Sequence, residues 1–187
     1  MKVLGTRRLI LRKFKEDDFS AVHSYASCAE NILYLAWGPN SEKETREFIS
    51  RSIANAEKKP ICNYEYAVVI KETDTLIGGC GISPSGDKAS LGWCLHRDYW
   101  KKGYCTELGT ALLKFGFEEL NLRRIIAVCH VENIGSYRVM EKIGMRREGL
   151  FLEDHSPKKL SDEKYGDKLL YAILKHEWEK FMKSKEV

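Results

Sequence analysis

The stretch Tyr99-Trp100-Lys101-Lys102-Gly103-Tyr104-Cys105-Thr106-Glu107 follows an apolar run, Leu91 to Leu95, and leads into a helical pattern. Strand, basic glycine-bearing turn and helix start together give the layout of a phosphate cradle. Amide N–H groups at a helix N-terminus point at an anion, and the helix dipole favours negative charge there. Gly103 allows close backbone approach, and Lys101 and Lys102 add positive charge. The turn is not a P-loop, because no G-x-x-x-x-G-K-S/T occurs in the chain, and no G-x-G-x-x-G supports a dinucleotide site. Taken alone, such a turn is more often plain punctuation between a strand and a helix. A second cluster downstream gives it weight.

Outward from this turn, the pattern predicts mixed strands and helices. Arg8 to Arg12 reads as a short strand, and Glu16-Asp17-Asp18 opens a helix to about Ser27, with acidic residues suited to its N-terminus. Ser41 with Glu44 forms a capping box for a helix to about Lys58. Tyr64 to Lys71, Thr75 to Ile82 and Ala89 to Leu95 read as a meander of strands joined by short turns. Thr106 to Glu119 carries a broad apolar helical face. Arg124 to His130 is a strand, and Ile134 to Ile143 a helix closed by Gly144. Met145 to Leu152 and Leu169 to Leu174 are the last strands, separated by the polar stretch Ser156 to Gly166, and Lys175 to Lys183 is a final helix. The expected class is α+β: a mostly antiparallel twisted sheet of about seven strands with helices on both faces. One parallel pair is expected where Ala89–Leu95 connects through the long helix to Arg124–His130. If those strands diverge, a cleft opens with the cradle at its mouth.

Composition narrows the classes. The chain has 187 residues, and no Pro/Gly/Ser linker divides it, so one domain spanning residues 1–187 is expected. No apolar run reaches the ~18–20 residues that span a bilayer, and no long apolar stretch near the N-terminus suggests a secretory signal. The net charge of +4 comes from interspersed residues, so neither a nucleic-acid surface nor a membrane partner is implied. None of the six cysteines forms a C-x-x-C pair, so no metal site is indicated, and reduced thiols in a cytoplasmic protein are the expectation.

The second cluster is Asn133-Ile134-Gly135-Ser136-Tyr137-Arg138-Val139-Met140-Glu141-Lys142-Ile143-Gly144-Met145. Asn133 and Ser136 lie three apart, hence on one helical face beside the expected cleft. Capping alone would also explain them. With Thr6-Arg7-Arg8-Leu9-Ile10-Leu11-Arg12, Trp37-Gly38-Pro39, Gly92-Trp93-Cys94-Leu95-His96 and Glu148-Gly149 in the same order, the chain resembles a GCN5-related N-acetyltransferase (GNAT) of the ribosomal-protein N-terminal type (RimJ/RimL-like) over nearly its whole length.

That resemblance implies a V-shaped split between the two central parallel strands and acetyl-CoA as cosubstrate. Its pyrophosphate would rest on the amides of Lys101, Lys102, Gly103, Tyr104, Cys105 and Thr106. Its pantetheine would run along Trp93, Cys94 and Leu95, with a backbone N–H near Cys94 or Leu95 polarising the thioester carbonyl. Ser136 would protonate the departing thiolate, and Asn133 would hold the pantetheine. The common strand glutamate of the superfamily is replaced here by Ser90. Counting 19 residues on from Ser136, as the RimL-like pattern suggests, reaches His155, an imidazole suited to general-base work at neutral pH. Tyr34, Trp37, Tyr64, His96 and Glu153 are candidates for the acceptor pocket; ordinary core is the competing role for the aromatics. The acceptor is a protein N-terminal amine or a small amine such as an antibiotic or polyamine. A homodimer is compatible by family analogy. The competing function is a non-catalytic acyl-CoA-binding module, motivated by Ser90 and by Cys105 in the cradle.

Overall fold

A computed structural model describes residues 1–155 and 165–185, with His155 described by its backbone alone. The chain forms the strands β1 (Leu4–Gly5), β2 (Leu9–Arg12), β3 (Tyr64–Ile70), β4 (Thr75–Ser85), β5 (Lys88–Leu95), β6 (Arg124–His130), β7 (Arg146–His155) and β8 (Gly166–Leu174). The helices are α1 (Phe19–Ala26), α2 (Ala29–Ile32), α3 (Glu42–Glu57), α4 (Tyr104–Lys114), α5 (Ile134–Lys142) and α6 (Lys175–Lys183). The strands make one eight-stranded sheet in the order β1-β2-β3-β4-β5-β6-β8-β7. The expected α+β class and meander are present. The strand beyond the seven anticipated is the two-residue β1, too short to carry a periodic signal.

Strand alternation sorts the core into two layers. Leu91, Leu95, Ile125, Ala127, Leu169, Tyr171 and Ile173 share the larger cluster with Leu108 and Leu112 of α4 and with Met140 of α5. On the opposite face, Phe14, Val22, Tyr25, Ala26 and Ile49 pack with Ala67 of β3, and Cys94 of β5 joins them. Helices α1, α2 and α3 therefore lie on one side of the sheet, over β3, β4 and β5. Helices α4 and α5 occupy the other.

Local chemistry closes the helices as the sequence suggests. Ser41 caps α3 and Glu44 reaches back to the Ser41 N–H at 2.8 Å. Gly144 follows α5 at φ +90°, and the Phe181 ring lies 2.9 Å from where a Cβ would stand, so a side chain there is strained and crowded at once. Helix α4 starts at Tyr104, earlier than the apolar pattern indicates, and ends in a wider turn over Phe115–Glu119, where Leu120 N–H donates to Phe115 O.

Among the described residues the one parallel pair is β5 with β6. It holds from Lys88↔Arg124 to Leu91↔Ala127 and stops there. Beyond that point β5 stays with β4 through Gly78↔Leu95, while β6 stays with β8 through His130↔Lys168. The two strands part in a V, and α4 begins at its mouth.

Candidate active site

The parted strand β5 offers a specific set of backbone groups. His96 N–H donates to Ile77 O of β4 at 2.8 Å. Because successive residues of an extended strand point their N–H and C=O groups to alternate edges, the groups of Leu95 and Trp93 face the other way, into the wedge. The Leu95 carbonyl is already taken: Asn31 Nδ2 and Trp100 Nε1 each donate to it at 2.7 Å. The Leu95 N–H and both Trp93 groups are what the wedge presents. Leu95, rather than Cys94, thus points its N–H into the wedge. Gly92 lies open, with nothing within 4 Å of an added Cβ.

The cradle follows directly. Lys101 (φ +59°) and Gly103 (φ +80°) both adopt the left-handed region, which turns the chain sharply into α4. Gly103 is the N-cap and supplies no side chain to the helix end. Its carbonyl accepts Glu107 N–H at 3.1 Å, so the N–H groups of Tyr104, Cys105 and Thr106 precede the helical ladder and are available to an anion. Cys105 does not intrude. It packs against the core, and burial pushes its thiol up to about 12, so the residue stays a neutral thiol rather than a helix-activated nucleophile.

The cradle is anchored from the far end of the sequence. Thr6 Oγ1 and Arg8 N–H donate to Glu107 Oε1 at 2.5 and 2.6 Å, and Arg8 Nε donates to Oε2 at 2.7 Å. Arg8 also donates to the Lys102 carbonyl at 3.1 Å and lies 4.3 Å over the Tyr104 ring. Burial pushes the Glu107 carboxyl up, but the bonds from Thr6 and Arg8 outweigh it and hold the group below its ordinary value.

Across the wedge, Asn133 caps α5, its side-chain oxygen accepting Ser136 N–H at 3.0 Å. Ser136 is half-buried in the first turn. Burial pushes the Cys129 thiol of β6 up to about 11, a rise held back by the hydrogen bond with Ser136. Helix α5 packs on β6 and β8, which sets Ser136 on that side of the sheet. The cap is the contact this pair makes. Tyr137 lines a shallow hollow with Arg147 and Tyr171.

The acceptor candidates divide. Tyr34 stacks on His130 at the end of β6, with ring centroids 5.5 Å apart, and Trp37 is exposed in the loop that follows. Glu153 sits in a bulge of β7 at φ +52°, its N–H donating to Asp167 at 2.9 Å. Tyr64 stands apart from these: its ring packs edge-on against Phe115 on the α4 side of the sheet, partly buried against the core. His96 caps the turn Arg97–Tyr99, with Nδ1 accepting Asp98 N–H at 3.3 Å. The side chain of His155 and the stretch 156–164 lie outside the described residues. Among the described residues no group of three or more His, Cys, Asp or Glu could hold a metal ion, and no helix is long and apolar enough to cross a membrane.

Two polar residues here escaped the sequence reading. Asn31 is buried, and besides bonding Leu95 it accepts Arg97 N–H at 3.1 Å, fixing the end of β5. Glu65 stands on the α1 side in register with Gly81, which is in register with Gly92, and Ser52 donates to its carboxylate at 2.7 Å. A half-buried Glu in a strand is the one sequence signal that could have flagged it.

Comparison with known proteins agrees with this geometry. The family model described as an acetyltransferase (GNAT) domain matches residues 8–146. The uncharacterized N-acetyltransferase YnaD of Bacillus subtilis (strain 168) is 39% identical over 178 residues, covering 94% of this chain and 98% of that protein. The uncharacterized N-acetyltransferase p20 of Bacillus licheniformis is 30% identical over 95% of this chain and 99% of its own length. Among solved structures, a GNAT-family acetyltransferase from Bacillus anthracis is 36% identical and superposes with a TM-score of 0.79 over 94% of this chain and 99% of its own. The ribosomal alpha-N-protein acetyltransferase RimL in complex with coenzyme A shares the fold at a TM-score of 0.78 and 20% identity, over 92% of this chain and 98% of its own.

Proposed function

The chain belongs to the GNAT acetyltransferase family, and on that premise we propose that it moves the acetyl group of acetyl-CoA directly to a primary amine. The observation that carries this reading is the parting of β5 from β6 after Leu91↔Ala127, with the uncapped start of α4 at the mouth of the opening. The donor supplies an activated acetyl thioester. The residues present fit it: free amides at Tyr104–Thr106 suit a pyrophosphate, and the Trp93 edge suits an amide-bearing arm.

The Leu95 N–H polarises the thioester carbonyl and steadies the oxyanion that develops on attack. Asn31 and Trp100 hold that strand end in place through the Leu95 carbonyl. Asn133 orients the start of α5, and Ser136 gives its proton to the departing thiolate. On the other side of the sheet, Glu65 serves as the proton acceptor through water. It lies about 10 Å from Gly92, two inter-strand spacings of ~4.8 Å, over a floor of glycines. Proximity and alignment in the wedge supply much of the remaining rate.

An acceptor screen tests the reading. Amino-terminal peptides and small amines are offered with acetyl-CoA, free thiol is followed, and the product is identified by mass. Thiol release matched by acetylated amine is expected. Donor binding without turnover on any amine would remove the transferase assignment and leave a CoA-binding module.

A further inference from the structure

Helices α4 and α5 close the wedge from their own side of the sheet, so the amine must arrive from the side of α1. That side is only half covered. The helices α1, α2 and α3 sit over β4, β5 and β3 respectively. On the same face β6, β8 and β7 form cross-strand rows: Ile126, Ala172 and Arg146, then Val128, Leu170 and Gly149, then His130, Lys168 and Phe151. Val128 is 44% exposed, on a strand whose opposite face is core, and Phe151 of the edge strand β7 is 42% exposed. The surface is flat as well as apolar. A Cβ at Gly149 would meet only Leu170 Cβ, at 3.9 Å, and Gly92 continues the floor into the wedge. Two of the carboxylates at the margin are paired with cations. Glu148 bonds both Arg124 and Arg146, and Asp154 lies 3.4 Å from Lys168 Nζ.

Resting on the acetyl-transfer reading above, we propose that the acceptor is a monoamine with an apolar body, which lies on Val128, Leu170 and Phe151 while its amine reaches the wedge beside Gly92. A polycation would need a row of unmatched carboxylates on this face; Glu148 and Asp154 are already paired with Arg124, Arg146 and Lys168, and Glu65 is a single carboxylate beside the wedge. A compact apolar amine removes the Val128 and Phe151 surfaces from water, and the continuity of this face with the wedge sets the amine at the reacting carbon.

The test compares phenethylamine and leucinamide with spermidine and an aminoglycoside, using the full chain and saturating acetyl-CoA. The apolar amines are expected to show the higher kcat/KM. Val128→Thr and Phe151→Ser should each raise their KM about tenfold, the scale of a lost apolar contact in a pocket, with KM for acetyl-CoA unchanged. Both positions are exposed, and circular dichroism checks that the variants fold. Preference for spermidine or the aminoglycoside would overturn the proposal while leaving acetyl transfer intact. So would variants that alter no amine KM but convert a dimer to monomer in light scattering, which would assign the face to a second copy of the chain. Absence of thiol release with every amine would instead remove the transfer reading beneath it.

Discussion

Asn31 Nδ2 donates to the carbonyl of Leu95 across 64 positions of sequence, at 2.7 Å and out of water. The same side chain takes the Arg97 N–H at 3.1 Å, so one amide fixes the last residue of β5 and the first residue of the turn that builds the cradle. Asn31→Ala leaves the part-buried Arg97 N–H without its acceptor and removes one donor from the buried Leu95 carbonyl. The expected loss is about 1–3 kcal/mol of folding stability, measured by urea denaturation, together with a higher KM for acetyl-CoA. A variant of wild-type stability with unchanged donor KM would show that Asn31 does not set the strand end.

Ser136 faces β6 from the first turn of α5 while its N–H is capped by Asn133. Ser136→Ala keeps that cap, because the cap uses backbone N–H. It should lower kcat by about a hundredfold, the lower range for loss of a general acid, with little change in calorimetric affinity for CoA. An unaltered kcat would take the acid role away from this residue.

Gly103 holds φ +80°, and Arg8 Nη2 lies 3.4 Å from its absent Cβ. Gly103→Val places a branched side chain in the left-handed region, which costs roughly 1–2 kcal/mol, and pushes against the guanidinium that steadies the turn. Donor binding should disappear while circular dichroism stays native. Undiminished binding in calorimetry would mean that the pyrophosphate rests elsewhere.

Glu107 links stability to pH. Its folded-state value is held below the ordinary one, so the protein binds fewer protons here than the unfolded chain does near that value. The stabilisation is fully present above the unfolded carboxylate value of about 4.3 and is lost as pH falls through the folded value. Denaturation midpoints measured from neutral pH downward should fall more steeply for the wild type than for Glu107→Gln. Parallel curves would show that Thr6 and Arg8 contribute nothing through this carboxylate.

How far the site could be read before folding depends on the range of each interaction. The cradle was legible because a glycine, a helix start and a strand end are local. The pairing of Asn133 with Ser136 was legible because both lie within one helical turn. The wedge was inferable only as a consequence of connectivity, since parallel strands joined through α4 need not part. Nothing local marks Asn31 or the grip of Thr6 and Arg8 on Glu107, because those contacts join distant segments. The side of the sheet on which Tyr64 falls was open for a different reason. Period-two alternation says that neighbours in a strand face opposite ways, but it does not say which face meets α4. Register alone settles that, and it set Glu65 rather than Tyr64 on the α1 side. The bare face of β6, β8 and β7 was hidden for the same reason: Val128 and Phe151 look like core until the helices are placed.

Residue-resolved amide hydrogen exchange, with and without CoA, addresses the wedge most directly. Trp93 and Leu95 turn their N–H groups into it, and Tyr104, Cys105 and Thr106 present theirs at its mouth. These amides should exchange more slowly when CoA is added, while His96, whose N–H is already bonded to Ile77, should change little. Protection that falls elsewhere and leaves Trp93, Leu95 and the start of α4 untouched would contradict a donor gripped by the main chain between β5 and β6.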